Sequence, residues 1–107
     1  DQDTLYLAHP SDGVYSSTDG GQSFALINTG LTNLSVNTLA IDPQNPQTLY
    51  AGTDDGAFIS FDGGVHWGAV NEGLLGATVI YSIAVDPNDP GNVYAATPYG
   101  VFKLEAQ

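Results

Sequence analysis

The chain has 107 residues, with 12 acidic side chains against one base, Lys103, and its formal net charge is −11. This balance argues against binding to nucleic acids and to anionic membrane surfaces, because both are contacted through Lys and Arg. The sequence contains no cysteine, which excludes disulfides, and no apolar run long enough for a transmembrane helix. The acidity suits solubility, a salt-rich habitat or a basic partner.

Short β-rich segments alternate with turns from the start of the chain. Residues 4–9 show the two-residue alternation of a strand, and a Pro-Ser-Asp-Gly turn follows them. Residues 36–41 are expected to place Val36, Thr38 and Ala40 on one face, before an Asp-Pro turn ends the strand. The strands predicted in this part of the chain are 4–9, 14–18, 23–28 and 36–41.

The same order of segments then returns along the chain. Residues 48–53 match residues 4–9 at an offset of about 44 residues, and the turn at 42–46 recurs at 86–90. A period near this value with four strands per unit is typical of a β-propeller blade. No helical periodicity of useful length is present. The predicted fold class is therefore all-β, a partial β-propeller of about two and a half four-stranded antiparallel blades.

The strands of a blade are named A to D from the propeller axis outward. On this scheme residues 1–107 form one propeller segment of three blade-like units. Residues 1–34 supply strands B, C and D of the first unit, residues 35–78 the complete second unit, and residues 79–107 strands A, B and C of the third. The first unit lacks its inner strand and the third its outer strand, which predicts edges and faces that other blades must cover.

A short motif with the pattern Ser-x-Asp-Gly-Gly-x-x-aromatic occurs twice. Glycine enters the positive-φ conformations of a tight hairpin, and a carboxylate before the glycines can accept backbone N–H bonds across the turn. A large ring just after the turn can fold back onto the sheet. Because the motif recurs at a fixed period, we interpret it as structural rather than catalytic. Its residues are Ser17, Asp19, Gly21 and Phe24 in the first copy, and Ser60, Asp62, Gly64 and Trp67 in the second.

The motif resembles the Asp-box, or BNR repeat, Ser-x-Asp-x-Gly-x-x-Trp. The copy ending in Trp67 matches this pattern fully, and the copy ending in Phe24 replaces the final Trp. The resemblance covers nearly the whole chain and implies a β-propeller with structural boxes on the hairpins between the third and fourth strands. Sialidases, sortilin-like receptors, xyloglucan-cleaving hydrolases and photosystem II assembly factors belong to this family. The chain contains no Arg, so the arginine cluster of the sialidase site is absent.

Carboxylates are the remaining candidates for chemistry. Asp42 and Asp86 occupy the same repeat position before a proline, which favours a turn role over paired-carboxylate glycosidase chemistry. Asp54 and Asp55 are the other candidates for such a pair. Segments 54–55 and 86–89 offer hard oxygen ligands that suit calcium, but neither matches a known calcium loop. We therefore expect no catalytic residues, no metal site and no cofactor, with calcium as the open alternative.

Aromatic side chains are candidates for a sugar platform, although most of them are expected to pack between blades. Tyr81 replaces Asn37 of the preceding unit, and Tyr99 replaces Asp55. Departures from a repeat are positions where a specific site could have been added, so Tyr81 and Tyr99 are the candidate ligand-facing residues. The full platform set is Tyr15, Trp67, Tyr81 and Tyr99.

Together these patterns predict a non-enzymatic interaction or scaffold module that assembles with further propeller blades, as a homo-oligomer or within a larger complex. A carbohydrate-binding propeller, with a glycan as partner, and a fragment of a secreted glycoside hydrolase are the alternatives. The sequence opens with Asp1 and contains no methionine. We therefore expect a processed secreted protein or an excised portion of a longer propeller, extracellular or periplasmic, without direct membrane insertion.

Overall fold

The computed structural model describes residues 4–70 and 78–104, and this part of the chain contains ten β-strands and no helix. It therefore has no helix with the length and apolar character needed to span a membrane. The strands are β1 (Leu5–His9), β2 (Gly13–Ser17), β3 (Ala25–Leu26), β4 (Val36–Ile41), β5 (Leu49–Thr53), β6 (Gly56–Ser60), β7 (Gly68–Ala69), β8 (Ser82–Val85), β9 (Val93–Thr97) and β10 (Gly100–Leu104).

The strands form three antiparallel sheets in chain order. The first sheet is β1-β2-β3, the second is β4-β5-β6-β7, and the third is β8-β9-β10. The predicted all-β fold class, a partial propeller, is confirmed. The strand predicted at 23–28 is too long, since only Ala25–Leu26 pairs with β2. The unit boundaries at 34/35 and 78/79 stay predictions, and the second of these adjoins residues 71–77, which lie outside the described residues.

The two middle strands of the second sheet are buried on both faces, as expected for a blade between two others. Every residue of β5 and β6 is buried. Alternate side chains of these strands face either the first sheet or the third, so two hydrophobic clusters form between the three sheets. The cluster against the first sheet contains Val14, Leu31, Val36, Leu49, Ala51, Phe58 and Trp67, and the cluster against the third contains Tyr50, Ala57, Ile59, Val70, Ile80, Ile83, Val93, Ala95 and Leu104.

A β-bulge in β4 changes which of its side chains share a face. The register with β5 shifts between Val36 and Thr38, so Asn37 is the extra residue. Val36 packs in the cluster against the first sheet, whereas Ala40 packs against the cluster of the third. The prediction that Val36, Thr38 and Ala40 share one face is therefore wrong, because an inserted residue interrupts the alternation.

The outer faces of the first and third sheets have no other sheet packed against them in the described part of the chain. The first open face carries large apolar side chains that are 39–53% exposed. The second open face lies on the outer side of β9 and β10, where Tyr94 pairs with Lys103 and Val101 pairs with Ala96. The first open face consists of Leu5, Leu7, Tyr15, Phe24 and Leu26, and the second of Tyr94, Val101 and Lys103.

Candidate functional site

The second box hairpin is closed by hydrogen bonds among its own residues. The Ser60 hydroxyl donates to Asp62 Oδ1 at 2.8 Å and accepts the Gly64 backbone N–H at 2.8 Å. Asp62 Oδ1 also accepts the backbone N–H of His66 at 2.9 Å. Gly64 has a φ of +91°, which glycine adopts without strain. Ser60 is buried, so its hydroxyl supplies an acceptor that the turn N–H groups would otherwise lack.

The first box hairpin repeats this arrangement with small changes. The Ser17 hydroxyl donates to Asp19 Oδ1 at 2.8 Å and accepts the Gly21 N–H at 2.9 Å. Asp19 accepts the backbone N–H of Ser23 at 3.0 Å and the Ser23 hydroxyl at 2.7 Å. Ser23 thus takes the place that His66 has in the second box, where the His66 ring Nδ1 lies 2.8 Å from Asp62 Oδ2.

Both box carboxylates are stronger acids than usual. The His66 side chain is the largest cause that lowers the pKa of Asp62 to about 2, followed by the His66 backbone N–H and the Ser60 hydroxyl. The Ser23 hydroxyl is the largest cause that lowers the pKa of Asp19 to about 2. Carboxylates that are ionised at neutral pH and engaged by their own turns are poorly suited to general acid–base catalysis.

The two box aromatics lie in different surroundings. Trp67 is 6% exposed, and its ring Nε1–H donates to the carbonyl oxygen of Ile27 at 2.7 Å. Its backbone N–H donates to the carbonyl oxygen of Thr29 at 2.8 Å. The inclusion of Trp67 in a sugar platform is therefore wrong, because its ring is buried against the connector after β3. Phe24, in contrast, is 39% exposed on the first open face.

The connector that receives Trp67 depends on Gly30. This glycine has a φ of +89°, and a Cβ at its position would overlap the carbonyl oxygen of Trp67. The box pattern by itself does not indicate that Trp67 pairs with this connector. The available signal was an Asn-x-Gly-Leu pattern at 28–31 that recurs at 71–74, and the second copy lies outside the described residues.

The candidate ligand-facing tyrosines are both on the surface of the third sheet. Tyr81 is 58% exposed and Tyr99 is 72% exposed. Their backbone N–H groups are bonded, that of Tyr81 to the carbonyl oxygen of Ala96 at 2.8 Å and that of Tyr99 to the Thr97 hydroxyl at 3.0 Å. Both rings are accessible from solvent, and their role in ligand binding stays a prediction.

The remaining candidate carboxylates accept hydrogen bonds within turns or from a side chain of the same sheet. Oδ1 of Asp42 accepts the backbone N–H of Gln44 at 2.8 Å, and Oδ1 of Asp86 accepts that of Asn88 at 2.9 Å. Asp54 Oδ1 accepts the side-chain N–H of Asn37 at 2.9 Å. Within residues 4–70 and 78–104, no group of three or more acidic or His side chains is placed to hold a metal ion.

Several solved structures resemble this chain. An ancestral GH74 enzyme superimposes with a TM-score of 0.77 and 32% sequence identity, covering 91% of this chain and 12% of that one. The GH74 enzyme of Niastella koreensis gives a TM-score of 0.77 at 20% identity, with 94% and 16% of the two chains covered. YCF48 bound to D1 peptide gives a TM-score of 0.72 at 15% identity, with 98% and 34% covered.

No protein-family model matches the chain, and no curated protein matches it. The chain spans between 12% and 34% of the length of the three structures that it resembles. These structures are β-propellers, and the three antiparallel sheets of this chain match part of their architecture. The chain is therefore a segment with the β-propeller fold, similar to the GH74 enzymes and to YCF48.

Proposed function

We propose that this chain is a non-enzymatic interaction or scaffold module whose box-bearing blades assemble with further propeller blades. Those blades belong to other copies of the chain or to a larger protein. In this proposal the two Asp-boxes are structural, because each closes its own hairpin. A module of this kind is expected to be extracellular or periplasmic.

The observation that carries this proposal is the composition of the first open face. Leu5 and Leu7 of β1 hold the repeat positions that Leu49 and Ala51 hold in β5. Leu49 and Ala51 are 1% and 0% exposed because the first sheet covers them, whereas Leu5 and Leu7 are 42% and 50% exposed. The same side of the blade is thus apolar in both units, and only one of them is covered. An apolar face rimmed by polar turns marks an interaction surface.

The second open face lies on the third sheet, and its side chains are partly apolar and partly charged. Tyr94 and Val101 hold the positions of Tyr50 and Ala57, which are buried against the third sheet. Lys103, the single base of the chain, holds the position of Ile59. A cation on a sheet face opposes burial unless the partner supplies an anion. The first open face is therefore the stronger candidate for blade docking.

Sedimentation equilibrium of the chain at low micromolar concentration tests the proposal, with Leu7→Glu as the probe variant. Leu7→Glu should reduce self-association or binding to a larger partner, because it places a charge in the contact. Val65→Glu is the matched control, since Val65 is 58% exposed in a hairpin and the charge change is identical. A wild-type chain that remains a monomer with cooperative melting, and captures no propeller partner, would overturn the proposal.

A portion of a glycoside hydrolase is the second candidate, favoured by the 32% identity to an ancestral GH74 enzyme over 91% of this chain. The catalytic residues would then lie outside the 107 residues. The test is the activity of the complete gene product on xyloglucan, the substrate of hydrolases in the resembled family. The release of reducing ends measures this activity. Lack of hydrolysis by a folded, complete product would remove this candidate.

A carbohydrate-binding propeller is the remaining alternative, and the exposed rings of Tyr81 and Tyr99 favour it. Exposed aromatic rings can stack on sugar faces. A glycan array with the wild-type chain and with the Tyr81→Ala and Tyr99→Ala variants distinguishes a lectin from a scaffold. Binding that survives both substitutions would show that these rings are not the platform.

A further inference from the structure

A groove lies at the box end of the junction between the second and third sheets, and neither the boxes nor the open faces account for it. Its volume is about 310 Å³. Its wall combines the turn after β4, the start of β5, the first box residue after β6 and the turn after β8. We call it the Phe61 groove, and its main lining residues are Asp42, Asn45, Thr48, Tyr50, Phe61 and Pro90.

Tyr50 contributes a phenol hydroxyl to the lining of this groove. The residue is only 4% exposed, and its hydroxyl forms no hydrogen bond to the described residues. No buried side-chain N or O atom in the described part of the chain lacks a partner, so this hydroxyl is the part of Tyr50 that solvent reaches at the groove. Burial, and then the nearby charge of Asp42, raise the pKa of Tyr50, so the phenol stays neutral at physiological pH. A ligand N–H group at the groove can donate to this hydroxyl oxygen in exchange for water.

Asp42 supplies a carboxylate at the same groove. Its Oδ1 accepts the backbone N–H groups of Gln44 at 2.8 Å and Asn45 at 3.2 Å. Its Oδ2 has no hydrogen-bond partner in the part of the chain that the structure describes. One carboxylate oxygen therefore shapes the turn, and the other can bind a donor from outside the chain.

Phe61 distinguishes this groove from its repeat counterpart. An equivalent groove of about 350 Å³ lies between the first and second sheets, where Thr4, Tyr6 and Pro46 hold the positions of Thr48, Tyr50 and Pro90. Thr18 stands there in place of Phe61. The Phe61 side chain is 65% exposed beside Pro90, so an aromatic face has been added to one copy of a repeated groove.

We propose that the Phe61 groove binds an arginine side chain of a basic partner protein. A guanidinium group stacks on an aromatic ring and donates several N–H bonds in one plane, which suits Phe61, Asp42 Oδ2 and the Tyr50 hydroxyl oxygen together. A chain with a net charge of −11 attracts a basic partner over a long range. This site is separate from the blade contacts of the proposed function, and it does not depend on them.

The direct test is an NMR titration of the chain with the peptide acetyl-Gly-Arg-Gly-amide. Its matched control is the same peptide with citrulline, which keeps the shape of arginine but has no charge. The arginine peptide should shift the resonances of Asp42, Tyr50 and Phe61, and the citrulline peptide should bind at least about threefold more weakly. Equal binding of the two peptides, or tighter binding of methyl β-glucoside, would overturn the proposal in favour of a neutral ligand.

Two variants separate the groove from the general acidity of the chain. Asp42→Asn and Asp86→Asn remove the same charge from equivalent turns, and an asparagine oxygen can still accept the turn N–H groups. Of these two variants, only Asp42→Asn should weaken binding of the arginine peptide. Phe61→Thr, which copies Thr18, should weaken that binding about threefold or more. Equal losses in the two Asn variants, or unchanged binding in Phe61→Thr, would show that the groove does not recognise the guanidinium group.

Discussion

At the scale of single residues, the box carboxylates combine a structural role with unusual acidity. Asp19 and Asp62 accept hydrogen bonds only within their hairpins among the described contacts, and the pKa of each is lowered to about 2. The partners differ, since a serine hydroxyl and a histidine ring fill the same place. The box therefore requires a donor at this position rather than one residue type.

The lowered pKa of Asp62 predicts a loss of stability in acid. The pKa of an Asp in an unfolded chain is about 3.9, so the stability that comes from the ionised Asp62 is fully present above that pH. It is lost as the pH falls from about 4 through the folded pKa of about 2. Urea unfolding of Asp62→Asn between pH 2 and 6 should show a weaker dependence on pH than the wild type. Identical slopes would contradict the assignment.

At the scale of elements, the contact between units depends on backbone as much as on side chains. Trp67 donates both its ring N–H and its backbone N–H to the connector of the preceding sheet. Gly30 allows this approach because it has no Cβ and a positive φ. Two backbone carbonyls and one glycine therefore align neighbouring sheets, in addition to the hydrophobic cluster between them.

Gly30→Ala is expected to destabilise the chain strongly. The new Cβ would overlap the Trp67 carbonyl oxygen and would force a positive φ on an alanine, so we expect a loss of more than about 1 kcal/mol in the free energy of unfolding. Gly68→Ala is the control, because a Cβ there meets nothing within 4 Å. Chemical denaturation of both variants measures the difference. Equal midpoints for the two would mean that the connector can move away without cost.

At the scale of the whole molecule, the two open faces differ in how strongly their side chains favour burial against another sheet. The first is apolar throughout its centre, whereas the second carries Lys103 at the repeat position of the buried Ile59. A charge directed into a face is a device by which β-proteins limit unwanted pairing. The chain therefore has one face that favours docking and one that restrains it.

Lys103→Ile should increase self-association if copies of this chain cover one another. The substitution restores the apolar residue of the repeat, and burial of an isoleucine contributes about 1.5–3 kcal/mol. Lys103→Gln is the control, since it removes the charge without supplying an apolar side chain. Analytical ultracentrifugation compares the two variants with the wild type. A monomeric Lys103→Ile chain at every concentration would indicate that the second open face does not receive another copy.

The repeat determined the fold class of this protein because local rules act on short segments. Local patterns indicate where strands begin and end, namely the alternation at 4–9, the turn residues at 42–46 and the glycines of the boxes. The recurrence of these patterns predicts stacked blades. Function does not follow from such local rules. Tyr81 and Tyr99 are exposed, but exposure alone identifies no ligand.

Only the tertiary structure decided how neighbouring units meet. The bulge at Asn37 changes the face on which Val36 lies. No local sequence pattern predicts this bulge, because it depends on the pairing of β4 with β5. Phe24 and Trp67 hold the same motif position, yet one ring is exposed and the other buried. The difference arises because burial is a property of the neighbouring sheet, which covers Trp67 and is absent beside Phe24 among the described residues.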